Sequence, residues 1–87
     1  MSVYMVERVL PGITMEQLGA AQQSAIQTAE RFTKEGKAVR YLRSTFLPQE
    51  SKCMCLFEAD SAEDVAAVNQ AANIPFEQIV EAMDLNP

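Results

Sequence analysis

Arg40, Tyr41, Arg43 and Glu58 stand inside two runs of otherwise core-seeking residues, 39–46 and 52–59, joined by a short connection at 47–51. Packing alone gives such a hairpin little use for charge, so the placement points to a polar pocket on one face of a sheet. Glu7, in an earlier apolar run, adds a second carboxylate. A carboxylate facing a guanidinium in a dry cavity binds a polar or anionic small molecule. The two groups also shift each other's pKa, as acid–base work requires. The competing reading is that these charges form cross-strand ion pairs at sheet edges. Alternation along a strand sends Glu7 and Arg8 to opposite faces. The same rule separates Arg40 and Arg43, three apart: Arg40 falls with Leu42 and Phe46, Arg43 with Val39 and Tyr41. The expected ligand-binding set is therefore Glu7, Tyr41, Glu58 and whichever of Arg40 and Arg43 faces the pocket.

The sequence contains no histidine, the commonest general base and the commonest metal ligand. A nucleophile–histidine pair is thus excluded. The two cysteines, Cys53 and Cys55, are two apart and point to one face of a strand. They read as small buried hydrophobes in a reducing compartment, since a disulfide in the middle of an extended strand is strained. A thiolate metal site would need two chains to supply four sulfurs. Glycine-rich phosphate loops and a Walker lysine are missing. Tyr4 and Tyr41 either offer hydroxyls to a pocket or pack with a wet tip. Met5, Met15, Met54 and Met83 either line an adaptable cavity or fill core. Asn69 points to a helix–sheet seam, lies at the surface or pairs with backbone.

The elements that must hold these residues are legible. Residues 3–10 are rich in β-branched and aromatic types and stop at Pro11-Gly12, a strand and a turn. Thr14 with Gln17 forms a capping box. Leu18, Ala21, Ala25, Ala29 and Phe32 then follow at steps of three and four, the stripe of an amphipathic helix. The stripe is mostly alanine, so the helix can lie close to what it covers, and Gly36 closes it. After the hairpin, Ser61 and Asp64 open a second helix whose buried stripe is Val65, Val68 and Ala72, ended by Asn73-Ile74-Pro75. Residues 76–83 read as a short fourth strand.

The order β-α-β-β-α-β is the ferredoxin-like arrangement, an α+β fold. Right-handed crossovers put both helices on one face of a four-stranded antiparallel sheet. The other face, carrying Met5, Val9 and Leu56, is left bare, and pairing two such sheets would cover it. A homodimer is expected, as a dimeric α/β barrel or sandwich around a shared lumen.

Composition agrees with a single domain, 1–87: 87 residues with 48% hydrophobic content. The RNA-recognition domains share this topology, but their aromatic platform is missing here. A net charge of −5 disfavours nucleic acid and anionic membranes as partners. No apolar stretch approaches the roughly 20 residues that span a bilayer, and no signal peptide precedes the first strand. A cytoplasmic location is the expectation.

Tyr4-Met5-Val6-Glu7-Arg8 with Leu10-Pro11-Gly12, then Val39-Arg40-Tyr41-Leu42-Arg43, then Cys55-Leu56-Phe57-Glu58-Ala59 with Ser61-Ala62-Glu63 and Val65, resemble a small bacterial domain-of-unknown-function family. That family contains a nickel-responsive, nickel-binding protein. Ile74-Pro75 and Ile79-Val80-Glu81 also fit, so the resemblance runs along nearly the whole chain. It implies a dimeric ferredoxin-like fold, and it implies nickel. Family members commonly carry a histidine on the second helix, near where Asn69 stands. Nickel favours imidazole nitrogen, which this chain lacks. The fold is therefore carried over; the metal is not, and no cofactor or metal ligand is assigned.

These readings converge on a homodimer that binds a small molecule, or weakly a metal, between its sheets. The rivals are a cofactor-free isomerase or cyclase with Glu7 or Glu58 as base, and an accessory module that only contacts other proteins.

Overall fold

The computed structural model describes all 87 residues, Met1–Pro87. In chain order it has β1 (Ser2–Val9), α1 (Met15–Lys34), β2 (Val39–Leu47), β3 (Lys52–Ala59), α2 (Ala62–Ala71) and β4 (Gln78–Ala82). All neighbouring strands are antiparallel, in the order β2-β3-β1-β4. This is the ferredoxin-like β-α-β-β-α-β fold that the sequence patterns imply.

Local chemistry sets the element ends. The Thr14 hydroxyl accepts from the Gln17 amide at 3.0 Å, and Gln17 Oε1 accepts from the Thr14 amide at 3.0 Å. That closes a full capping box and satisfies two donors that the first turn of α1 would otherwise strand. Gly36 leaves α1 at φ +101°, a left-handed conformation that is cheap only without a Cβ. At α2 the Ser61 hydroxyl accepts from the Asp64 amide at 3.2 Å. Asn73 takes the left-handed turn at φ 59°, which lets the Ile74 amide reach back to the Asn69 carbonyl at 3.1 Å. Pro75 follows and cannot continue the helix. β4 is shorter than the expected 76–83, because its pairing with β1 begins at Glu7–Gln78 and ends at Val3–Ala82. Phe76 packs against the core instead of joining the ladder.

One face of the sheet carries Val6, Cys53, Cys55, Phe57 and Ala59, all buried, and both helices cover it. Ala25 and Ala29, each 2% exposed, bring α1 down close to the strands. Phe57 is fully buried and meets Tyr41 edge-on, with ring centres 5.5 Å apart. The opposite face presents Val3, Met5, Glu7 and Val9 from β1 and Met54, Leu56 and Glu58 from β3, and no helix covers it.

Strand β2 departs from regular alternation. Tyr41 pairs with Phe57, yet Arg43 pairs with Leu56, so Leu42 is a surplus residue in a β-bulge. The three-residue spacing therefore does not separate the arginines. Arg40, opposite Glu58, and Arg43, opposite Leu56, both lie on the open face. Tyr41, Ser44 and Phe46 lie on the helix face, opposite Phe57, Cys55 and Cys53. The expected groupings, Arg40 with Phe46 and Arg43 with Tyr41, are thus corrected.

Candidate functional site

Four of the expected residues share the open face, and their charges are already engaged. Arg40 pairs with Glu58 at 3.3 Å, Arg43 pairs with Asp84, and Glu7 accepts from Gln78 Nε2. The Arg40–Glu58 pair is a cross-strand ion pair with its side chains 69% and 30% exposed, a class that contributes little. Tyr41 is alone among the five in facing the helices. Of the methionines, Met5 and Met54 sit half-buried on the open face, while Met15 and Met83 are exposed and fill neither core nor cavity.

A partly open pocket lies on the other side, between α1 and the sheet. It is a cavity of about 190 Å³. Leu10, Leu18, Ala21, Phe46 and Ile74 supply apolar walls; Arg8, Gln22, Tyr41, Ser44, Cys53 and Cys55 supply the polar groups.

Arg8 is the unusual member. It is 3% exposed, although arginine is almost never buried without a partner. The ion pairs of this chain are Arg40–Glu58 and Arg43–Asp84, so no carboxylate balances Arg8. Its Nη2 donates to Asn69 Oδ1 at 2.9 Å and its Nη1 to the Pro75 carbonyl at 3.2 Å. Asn69 is fully buried and its Nδ2 donates to the Val65 carbonyl at 2.8 Å. The surface reading of Asn69 is thereby overturned: it is the side chain that orients the guanidinium.

Two thiols lie beside Arg8. The Sγ atoms of Cys53 and Cys55 are 3.8 Å apart, and the Ser44 hydroxyl donates to Cys55 Sγ at 2.9 Å. Tyr41 and Ser44 hydroxyls are 2.6 Å apart, and Gln22 Nε2 donates to Tyr41 Oη at 2.8 Å. Because Ser44 spends its proton on sulfur, Tyr41 donates to Ser44. The donors therefore run in one direction, from Gln22 at the exposed rim through Tyr41 and Ser44 to Cys55, and such chains reinforce one another. The Cys53 and Cys55 thiols also share a hydrogen bond. That hydrogen bond first, and then the Arg8 charge and the Ser44 hydroxyl, outweigh burial and lower the Cys55 pKa from 9.0 to about 5. The Cys53 pKa is raised by the same shared hydrogen bond, by burial and by the neighbouring sulfur charge. The two thiols therefore titrate as a unit, and its first proton leaves more readily than that of an ordinary thiol. The cysteines are buried, as expected, but they are polar partners rather than inert hydrophobes.

Sequence reasoning placed Arg8 opposite Glu7 and took it no further. Both faces of β1 are apolar, so the pattern carries no mark of which face the helices cover. Ser44 was missed because its inward direction depends on the bulge. Gln22 was missed because only tertiary packing brings it to Tyr41.

A family model described as "Nickel responsive protein SCO4226-like" matches residues 4–82. The crystal structure of SCO4226 from Streptomyces coelicolor A3(2) has the same fold, with a TM-score of 0.82 at 24% identity over 98% of this chain and 100% of that one. No curated protein matches the chain. No helix is long and apolar enough to cross a membrane.

Proposed function

The chain belongs to the nickel responsive SCO4226-like family, and within that fold we propose a homodimer whose protomers each hold a small, uncharged, largely apolar molecule in the cavity between α1 and the sheet. The observation that carries this reading is the cavity itself. About 190 Å³ is lined by mostly apolar side chains and partly open to solvent, with a directed row of hydroxyl groups along one wall. An apolar cavity of roughly 150 Å³ accommodates benzene, so this one suits a ring or a short branched chain. The occupant is uncharged because Arg8, already held by Asn69 and the Pro75 carbonyl, is the sole basic or acidic side chain besides the thiols in the lining. The occupant's polar group meets Ser44 and Tyr41.

Dimerisation is supported by the uncovered sheet face. Met5, Met54 and Leu56 lie there only half-buried, and Val9 and Val80 are 41% and 37% exposed. The charged set of Glu7, Arg40, Arg43 and Glu58 would frame that seam, satisfied within each protomer. A ligand between the sheets would have to displace those partners. The helix-side cavity asks for no such exchange, and it is the site preferred here.

The donor set does not fit a resident nickel ion. No three cysteine, aspartate or glutamate side chains converge anywhere in the chain. The two thiols that do meet lie against a guanidinium, which repels a cation and cannot ligate it.

The test is native mass spectrometry of tag-free protein purified without a nickel column, combined with thermal unfolding in rising benzyl alcohol. The expected result is a dimer whose melting temperature climbs with benzyl alcohol concentration. Met5→Glu should give a monomer that still responds, and Ala21→Leu, which fills the cavity, a dimer that does not. A monomeric wild-type protein that does not respond to benzyl alcohol sinks the proposal.

A further inference from the structure

The Cys53–Cys55 pair has features that passive packing leaves unexplained. Its sulfurs are 3.8 Å apart, both line the cavity, and a hydroxyl hydrogen-bonded back to the rim points at one of them. A buried guanidinium with no carboxylate partner stands beside them. Thiolates that react are found where positive charge and donors converge on a sulfur that a small molecule can reach.

We infer that Cys55 is a peroxidatic nucleophile, that Cys53 is its resolving partner, and that the substrate class is a small organic hydroperoxide seated in the helix-side cavity. This rests on the cavity binding described above and names the chemistry of its occupant. A hydroperoxide is uncharged, has an apolar body and carries its reactive polar end where Ser44 and Tyr41 would receive it.

The step balances without another cofactor. The Cys55 thiolate attacks the terminal oxygen of the hydroperoxide, an S–O bond forms and the O–O bond breaks. The alkoxide leaves and takes the Ser44 proton, which Tyr41 and the rim replace from solvent, so the product is an alcohol. Sulfur is oxidised by two electrons and becomes a sulfenic acid. The Cys53 sulfur then attacks Cys55, its thiol proton joins the departing hydroxide as water, and a disulfide results. Alternate residues of a strand are about 6.6 Å apart at a rise of roughly 3.3 Å each. That lies near the upper limit for a disulfide, so the bond is strained and an external thiol reductant reopens it.

The experiment treats reduced wild-type protein with cumene hydroperoxide or hydrogen peroxide and follows intact mass, with and without benzyl alcohol. The expected result is loss of two hydrogens, faster by tenfold or more with cumene hydroperoxide, slowed by benzyl alcohol and reversed by dithiothreitol. Cys53→Ser should instead gain oxygen at Cys55, and Cys55→Ser should resist oxidation. A wild-type protein inert to cumene hydroperoxide overturns the inference and leaves benzyl alcohol binding standing. Equal rates with both peroxides, untouched by benzyl alcohol, overturn the assigned substrate class. In that case a benzyl alcohol melting shift shows whether cavity binding fails as well. Because the wild-type reaction decides the matter, a variant that does not fold cannot obscure it.

Discussion

Replacing Asn69 with leucine will destabilise the fold by about 3 kcal/mol. The two side chains are similar in size, so packing changes little and the loss comes from polar groups. Asn69 Oδ1 accepts from Arg8 at 2.9 Å, Asn69 Nδ2 donates to Val65 at 2.8 Å, and both residues are buried. Leucine leaves a buried cation facing a methyl group, and the Pro75 carbonyl and the Cys55 sulfur cannot satisfy the five N–H donors of a guanidinium. Urea unfolding of the two proteins measures the difference. A loss under about 1 kcal/mol would mean that Arg8 recovers its hydrogen bonds elsewhere.

Arg8→Met tests the opposite case, in which the charge is removed rather than stranded. Without the cation Cys55 can keep its proton, so no buried charge is left stranded and only the Asn69 Oδ1 and Pro75 carbonyl acceptors lose their donor. The fold should survive better than in Asn69→Leu. The thiolate should not. Without Arg8, Cys55 loses one of the influences that hold its pKa at about 5. Alkylation by iodoacetamide at pH 7 should slow by about tenfold or more as the thiolate fraction falls. An unchanged rate would show that the Cys53 and Ser44 hydrogen bonds suffice by themselves.

The wild-type protein should also show the linkage in its pH dependence. In the unfolded chain Cys55 keeps its proton up to about 9, whereas in the folded chain it gives the proton up near 5. Across that window the unfolded state binds more protons, so this contribution to stability grows as pH rises from 5 to 9 and is lost as pH falls through 5. Cys53 acts the other way: its raised pKa means that stability declines above the ordinary thiol range. Urea midpoints across this range should therefore rise and then fall, and in Arg8→Met the rising limb should flatten.

The fold was readable because its signals are local and redundant. The Thr14–Gln17 box, the alanine stripe and the breaks at Pro11-Gly12 and Asn73-Ile74-Pro75 each fix an element without reference to the others. The site was not readable in the same way. Its geometry turns on a single surplus residue, Leu42, and strict alternation carried past that point sends Arg43 and Ser44 to the wrong faces. A trace was present: a regular strand would have turned Arg43 inward and Phe46 outward, and one slip after Tyr41 repairs both. Arg8 and Asn69, far apart in sequence and brought together by the sheet and α2, left no such trace. The Cys53–Cys55 spacing gave the shared face but not the arginine that changes what two buried thiols are.

A carboxylate that balances a buried cation does so for the lifetime of a protein, since nothing in ordinary cell chemistry removes it. Here the group beside the cation that can carry negative charge is a thiol, and Arg8 helps to lower its pKa. Once that atom is alkylated or joined to Cys53, Arg8 remains inside the molecule with nothing negative beside it. Damage at one atom then becomes an unpaired charge in the core, and the altered molecule opens more readily than its intact neighbours. Proteases that act on opened chains would clear it first. The survival of each copy would thereby record whether its thiolate had met an electrophile.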